Sequence, residues 1–293
     1  MTTMREDLIE LWRFRYLLKM LVSRELKVRY KNSALGFIWS IVPPLLSVLV
    51  LTVFVKKGLG ATAANYAPFL LCGIIPWTFF SVAILDSSQS LLVNWGVIKK
   101  VYMPREVIPL AIIISNFIHF MLGWCVFITV FIFAARLIPG FKFGIPLRTE
   151  MLWFPVIVLV EAILVTGASL WVAALNTFYE DVRFILQTLF GLVYFVFPIL
   201  FPVEAMLNTE VVKDHPWIFT LYMLNPITAI IDAFRKTLMV PLEPIDFQAK
   251  LKDIHPFQIH WGLFAMSSLI SVIILISGYA YFNHVKWKFV ERN

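Results

Sequence analysis

Arg24-Glu25-Leu26-Lys27-Val28-Arg29-Tyr30-Lys31, followed after Asn32-Ser33 by a run from Ala34 to Val55, is the stretch that decides the architecture. The run holds 22 residues without one charge, and about 20 apolar residues cross the hydrocarbon core of a bilayer as a helix. Lysine and arginine are costly to translocate, so the basic segment fixes the side from which the chain enters. A membrane span, its orientation and a cationic approach to it are all contained here.

Composition extends this reading to the whole chain. Its 293 residues are 60% hydrophobic and only 15% charged, with a mean hydropathy of +0.83. A soluble chain is about one quarter charged, so the expected class is an all-α polytopic membrane protein. The net charge of +7 does not imply nucleic acid as a partner, because the excess cations flank apolar runs. Cys72 and Cys125 both lie inside such runs and read as small core residues. The N-terminus carries Arg5, Glu6, Asp7 and Glu10 without an apolar core, so no cleavable signal is expected.

Taken in order, residues 4–21 place Leu8, Ile9, Trp12 and Tyr16 on one side of a helix and Glu6, Glu10 and Arg13 opposite. That pattern predicts an interfacial helix on the membrane surface, with a basic arm completing residues 1–33. Six spans follow, at about 34–55, 66–93, 107–135, 151–176, 184–203 and 261–283, within a transmembrane domain of 34–283 and before a tail of 284–293. Pro43-Pro44 lies in the first span, a kink that membranes tolerate where neighbours re-satisfy the backbone. Residues 217–231 are apolar but too short to cross and contain Asn225-Pro226. They predict a re-entrant or interfacial hairpin before the last span. Six spans put both termini on one side. Fifteen Lys and Arg then fall in inner segments and ten in outer ones, which orients both termini to the cytoplasm.

Chemistry is sparse. The chain has no glycine loop ending in Lys-Ser/Thr, no His-Glu-x-x-His pair and no Gly-x-Ser-x-Gly elbow. It is expected to be no enzyme, with no catalytic residue, metal site or cofactor of its own. Asp86 and Glu161 are the acids within the spans: an ion relay, polar clamps between helices, or residues facing a water-filled cavity. His119, in the third span, reads as a helix–helix hydrogen bonder. Aromatic side chains crowd several spans; Phe37, Trp39, Trp171, Phe190, Tyr194 and Phe197 are candidates to line a substrate pathway. Arg24, Lys27 and Lys31 fall on one helical stripe, and Glu25 stands four residues before Arg29. With Arg29 they form a candidate entrance for a phosphorylated lipid headgroup.

The order of the pieces resembles a known family. The basic segment 24–31, then Leu35-Gly36-Phe37-Ile38-Trp39 and Pro43, resembles the N-terminus of ABC-2-type permeases that export polysaccharides and lipid-linked glycans. Ile98-Lys99-Lys100-Val101-Tyr102-Met103-Pro104-Arg105-Glu106-Val107-Ile108-Pro109-Leu110 is similar to the family's segment between spans 2 and 3. Asp181-Val182-Arg183, and Asn225-Pro226 followed by Arg235, are weaker matches. The outer stretch up to Trp261 is longer than in compact members. The resemblance implies a six-helix permease of the bacterial cytoplasmic membrane, paired with a second copy of itself and with two copies of a separate ATPase. ATP and Mg would sit on that ATPase. The substrate would be O-antigen, capsule or teichoic acid on a lipid carrier. Coupling to the ATPase is then expected at Asn94, Lys99, Lys100 and Arg105, and at the turn of Glu180, Asp181 and Arg183. Rivals are an ABC-2 exporter of a small hydrophobic drug or lipid, and a membrane-embedded transferase.

Overall fold

A computed structural model describes residues 4–31, 38–54, 66–100, 102–137, 149–207, 209–239 and 258–291. Every regular element among the described residues is a helix. Helix α1 (Met4–Arg13) breaks at Phe14 and continues as α2 (Arg15–Tyr30), so the expected single interfacial helix is two. Phe14, Leu17, Leu18 and Leu21 turn inward onto Val107 and Ala111, while Ile9, Trp12 and Tyr16 stay exposed. That leaves an aromatic and aliphatic face free for a bilayer surface.

Helix α3 (Ile38–Val53) carries Pro43 and Pro44 without breaking. Then come α4 (Tyr66–Ser88), two single-turn helices α5 (Ser90–Val93) and α6 (Trp95–Ile98), and α7 (Val107–Leu137). A 3-10 turn at Thr149–Trp153 leads into α8 (Phe154–Phe178), followed by α9 (Asp181–Val193). Short helices α10 (Glu204–Leu207) and α11 (Glu210–Asp214) precede α12 (Trp217–Leu224) and α13 (Pro226–Leu238). The last helix is α14 (Trp261–Val285), with a 3-10 turn at Lys286–Glu291.

Four helices, α4, α7, α8 and α14, are long and apolar enough to cross a membrane. Helices α12 and α13 pass only as a pair, bent by 87° at Asn225. The protein is a multi-pass membrane protein. Asn225 makes this corner because its side chain caps α13, accepting from the Ile227 N–H at 3.2 Å, and Pro226 needs no donor there.

The expected fifth span, 184–203, is not one continuous helix. α9 stops at Val193, and residues 194–203 run as turns. Pro198 and Pro202 cannot donate to a helix ladder, and the freed carbonyls are taken up by a side chain described below. The bounds of the first span and most of the loops 136–150 and 240–257 lie outside the described residues.

α8 and α14 pack most extensively and run parallel. Trp153 meets Trp261 at 4.4 Å near their starts, and Gly167 faces Gly278 further along. A Cβ on Gly167 would lie 2.5 Å from the Leu275 Cα, so only glycine lets these backbones approach. Around them, α4, α7 and α13 close a core rich in aromatic rings, with Trp124 and Phe234 fully buried at 4.9 Å.

Candidate functional site

The basic end of the bundle is built on α2, whose two faces do different things. On the outer face Arg24, Lys27 and Lys31 line a groove of about 890 Å³ together with Met20, Leu26 and Val28. The cationic stripe is thus present, alternating with apolar side chains. Arg29 leaves it. Its guanidinium turns inward, donating to Asp86 Oδ2 at 2.9 Å and to Asn116 Oδ1 at 3.1 Å, and Asn116 donates back to Asp86 at 3.1 Å. The expected contact of Arg29 with Glu25 is therefore not made. Glu25 pairs instead with Arg24 at 2.7 Å. Asp86 makes the bonds of a polar clamp, tying α2, α4 and α7 together, and it also lines a cavity between them. Glu161, in α8, is fully buried and its carboxylate oxygens have no hydrogen-bond partner among the described residues.

Arg24 also reaches the predicted coupling loop, donating to Asn94 Oδ1 at 2.7 Å, while Asn94 donates to the Ser90 carbonyl. Entrance and loop candidates thus share a hydrogen bond across 70 residues. Lys99 and Lys100 are exposed, with Lys99 Nζ 5.3 Å from the Trp95 ring. At the far end of the loop Arg105 lies over Trp287 at 5.8 Å, and Glu106 forms a buried ion pair with Lys286 at 2.7 Å. Burial pulls the Arg105 guanidinium below its ordinary value, opposed by the Glu106 charge. Phe289 is buried against Phe178 and Phe282, so the tail is docked on the bundle at this residue. Glu180 and Asp181 are exposed; the Arg183 N–H donates to Asn176 Oδ1 at 3.0 Å, and Asn176 donates to the Ser88 carbonyl.

The pathway aromatics divide. Phe190, Tyr194 and Phe197 gather round Trp77 at 5.9, 6.1 and 5.2 Å, a residue not singled out from sequence. Trp77 and Phe197 are buried, so this cluster packs the end of α9 onto α4. What α9 and the following turn expose is Phe184, Ile185, Leu189, Leu192, Phe195 and Val196. Trp171 belongs elsewhere: it donates to Ser277 at 3.0 Å and stacks on Tyr281 at 4.3 Å, between α8 and α14. Phe37 lies outside the described residues, and Trp39 sits in the first turn of α3.

At the opposite end stands a buried cluster that sequence reasoning touched only through Arg235. Arg235 donates to the carbonyls of Pro198, Ile199 (2.6 Å), Phe201 (3.3 Å) and Phe69 (3.4 Å). This is where the broken fifth segment finds its partners. Beside it Lys236 bridges Asp232 and Glu204, each at 2.9 Å. The i,i+4 spacing of Asp232 and Lys236 was a readable signal; the pairing with Glu204 was not.

With this geometry in place, comparison with known proteins is informative. The profile described as ABC-2 type transporter matches residues 16–239. The chain is similar to the O-antigen export system permease protein RfbA of Myxococcus xanthus, 26% identical over 282 residues, spanning 96% of this chain and 97% of that one. A Klebsiella pneumoniae protein of the same name is 27% identical over 276 residues, 94% of each. The polysialic acid transport protein KpsM of Escherichia coli is 24% identical over 222 residues, 74% of this chain and 78% of that one.

Proposed function

The chain belongs to the ABC-2 type transporter family, and from that premise we propose that it is the permease of an ATP-driven exporter moving a lipid-linked polysaccharide across the bacterial cytoplasmic membrane. The observation that carries this reading is similarity along nearly the whole chain to permeases named for O-antigen export, joined by similarity to a polysialic acid transporter. The geometry favours it too. The cationic groove of α2 and the exposed lysines of the 94–106 loop lie at one end of the bundle and are linked through Arg24 and Asn94. A negatively charged lipid head and an energy-supplying partner would therefore be met at one surface.

Six crossings complete the reading: α3, α4, α7, α8, α9 with its following turn, and α14, preceded by the arm 1–33 and followed by 284–293. The α12–α13 pair serves as a re-entrant hairpin. Its corner is held inside the bundle, where Ser267 in the second turn of α14 donates to the Met223 carbonyl at 2.8 Å. From there α13 returns towards Phe154 at the start of α8, which meets Phe234 at 5.6 Å. Both termini lie in the cytoplasm. The permease works as a homodimer, for which the exposed apolar side chains of α9 offer a surface, with two ATPase subunits that bind ATP and Mg. The test is co-purification with the ATPase encoded beside it, followed by mass spectrometry of bound lipid. A lipid-linked glycan is expected. Recovery of a small hydrophobic compound without glycan would replace this reading with the drug or lipid exporter.

A further inference from the structure

The 94–106 loop ends at Glu106, whose carbonyl accepts the Leu110 N–H at 3.1 Å and so opens α7. Its side chain meets Lys286, at the end of α14, in an ion pair of 2.7 Å whose side chains are 2% and 10% exposed. Helices α7 and α14 do not pack extensively on one another among the described residues, so the pair links the loop to a helix that α7 itself does not hold. Apolar contacts accompany it. Leu91 of α5 and Met103 of the loop share one buried cluster with Phe282 of α14 and Phe289 of the following turn. Above them Arg105 lies over the exposed ring of Trp287.

The other ties of the loop are weaker. Tyr102 donates to Glu10 of α1 at 3.2 Å, and Arg24 donates to Asn94. The first bond is exposed and the second part-buried, so water competes for both. Glu106 and Lys286, by contrast, cannot part without leaving a charge in a dry site. An apolar pair of similar volume would serve stability as well; what the ion pair adds is a fixed geometry between loop and helix. It is also incompletely satisfied. Glu106 Oε2 and the neighbouring Arg105 Nη1 are buried with no hydrogen-bond partner among the described residues. Half-paired buried groups gain from a second arrangement of the segment that carries them.

We infer that Lys286 and Trp287 are positioning residues for energy coupling, which seat the 94–106 loop and pass its displacement to α14, a role that rests on the export reading, in which this loop meets the ATPase. From α14 the displacement reaches α8, because Gly167 and Gly278 bring those two backbones too close for one to slide alone. Work done on the loop thus enters the bundle through its last helix as well as through α7, which continues the loop in sequence.

Electron–electron resonance distances in the full chain, assembled in lipid nanodiscs with the ATPase encoded beside it, test this. Nitroxides are attached pairwise to cysteines at Gly96 on the loop, at the exposed His284 in the last turn of α14 and at Lys213 on α11, with Cys72 and Cys125 replaced by serine. A side chain at Gly96 meets no neighbour. Between the nucleotide-free complex and the complex trapped with ATP, Mg and vanadate, the Gly96–His284 distance should stay constant while both positions shift relative to Lys213. The double variant Glu106→Gln/Lys286→Met removes both charges, so that neither is buried alone. In it Gly96 should still shift and His284 should not, a separation that a merely structural pair would not produce. Trp287→Ala, at an exposed side chain, leaves the core untouched and should reduce the His284 shift by itself. A His284 that stays still while Gly96 moves, a Gly96 that does not move, or a His284 that follows in both variants overturns the assignment. The cargo is scored separately from the lipid that co-purifies: a small hydrophobic compound in place of a glycan would sink the export reading and leave these distances standing.

Discussion

Arg235 is the residue on which the broken part of the fold depends. Its planar fork reaches the carbonyls of Pro198, Ile199 and Phe201 in the irregular stretch after α9 and that of Phe69 in α4, and its guanidinium lies 3.7 Å from the centre of the Phe69 ring. Room for it exists because residue 73 is glycine: a Cβ there would stand 2.6 Å from Arg235 Nη2 and 3.2 Å from the Ile199 Cα. Arg235→Leu should destabilise the protein by roughly 3–5 kcal/mol, since it strands several buried carbonyls. Arg235→Lys should keep most of that loss, because an ammonium cannot present a fork. Gly73→Ala should cost about 1–3 kcal/mol through the same site. Thermal unfolding in detergent, followed by tryptophan fluorescence, measures all three. A wild-type melting temperature for Arg235→Leu would mean that the carbonyls find other partners.

At the scale of elements, the parallel pair α8 and α14 is a contact set by small residues. In a bilayer apolar side chains gain little by leaving lipid, so helices are held by close backbone approach. Gly278→Ala would push a methyl against the Gly167 carbonyl and the Trp171 ring, the latter at 2.8 Å. A loss of about 1–3 kcal/mol is expected, together with slower crosslinking between cysteines placed across the contact of the two helices. The 94–106 loop makes a different demand. It is tied at one end by Arg24 to Asn94 and at the other by Lys286 to Glu106, which leaves Lys99 and Lys100 projecting from a braced platform. Lys99→Glu with Lys100→Glu should abolish substrate-stimulated ATP turnover in the assembled complex while membrane insertion is unchanged. Retained stimulation would remove this loop from the coupling route.

The whole molecule has a polarity that can be read directly. Cysteines placed at Lys99 and Lys213, in a chain with Cys72 and Cys125 replaced by serine, should react with an impermeant maleimide from opposite sides of the membrane. The first should label only in inverted vesicles and the second in intact cells. Labelling of both from one side would refute the six-crossing arrangement. A third cysteine, at the exposed Lys288, separates a re-entrant α12–α13 pair from a bent span, because a true crossing there would reverse the side of the C-terminal segment.

Much of this was legible in the residues alone, and the reason is that hydrophobicity and charge add up locally. The run 34–55, the density of apolar residues and the Lys/Arg bias depend on no contact, and the first two sufficed for a helical, multi-pass membrane protein. The corner at Asn225-Pro226 was equally local, a cap beside a residue with no donor. Partnerships were not. Glu25 stands a helical turn from Arg29, yet packing of α2 on α4 and α7 delivered Asp86 instead. The stop at Val193 could not be derived from 184–203, because the carbonyls it frees are satisfied by Arg235, more than 30 residues on. Ser90 and Ser115, buried without a hydrogen-bond partner, line a pocket to which five separate helices contribute. An apolar run carries its own free energy of transfer, whereas an ion pair exists only once the helices that bear its partners have met; that meeting is what tertiary structure alone decided.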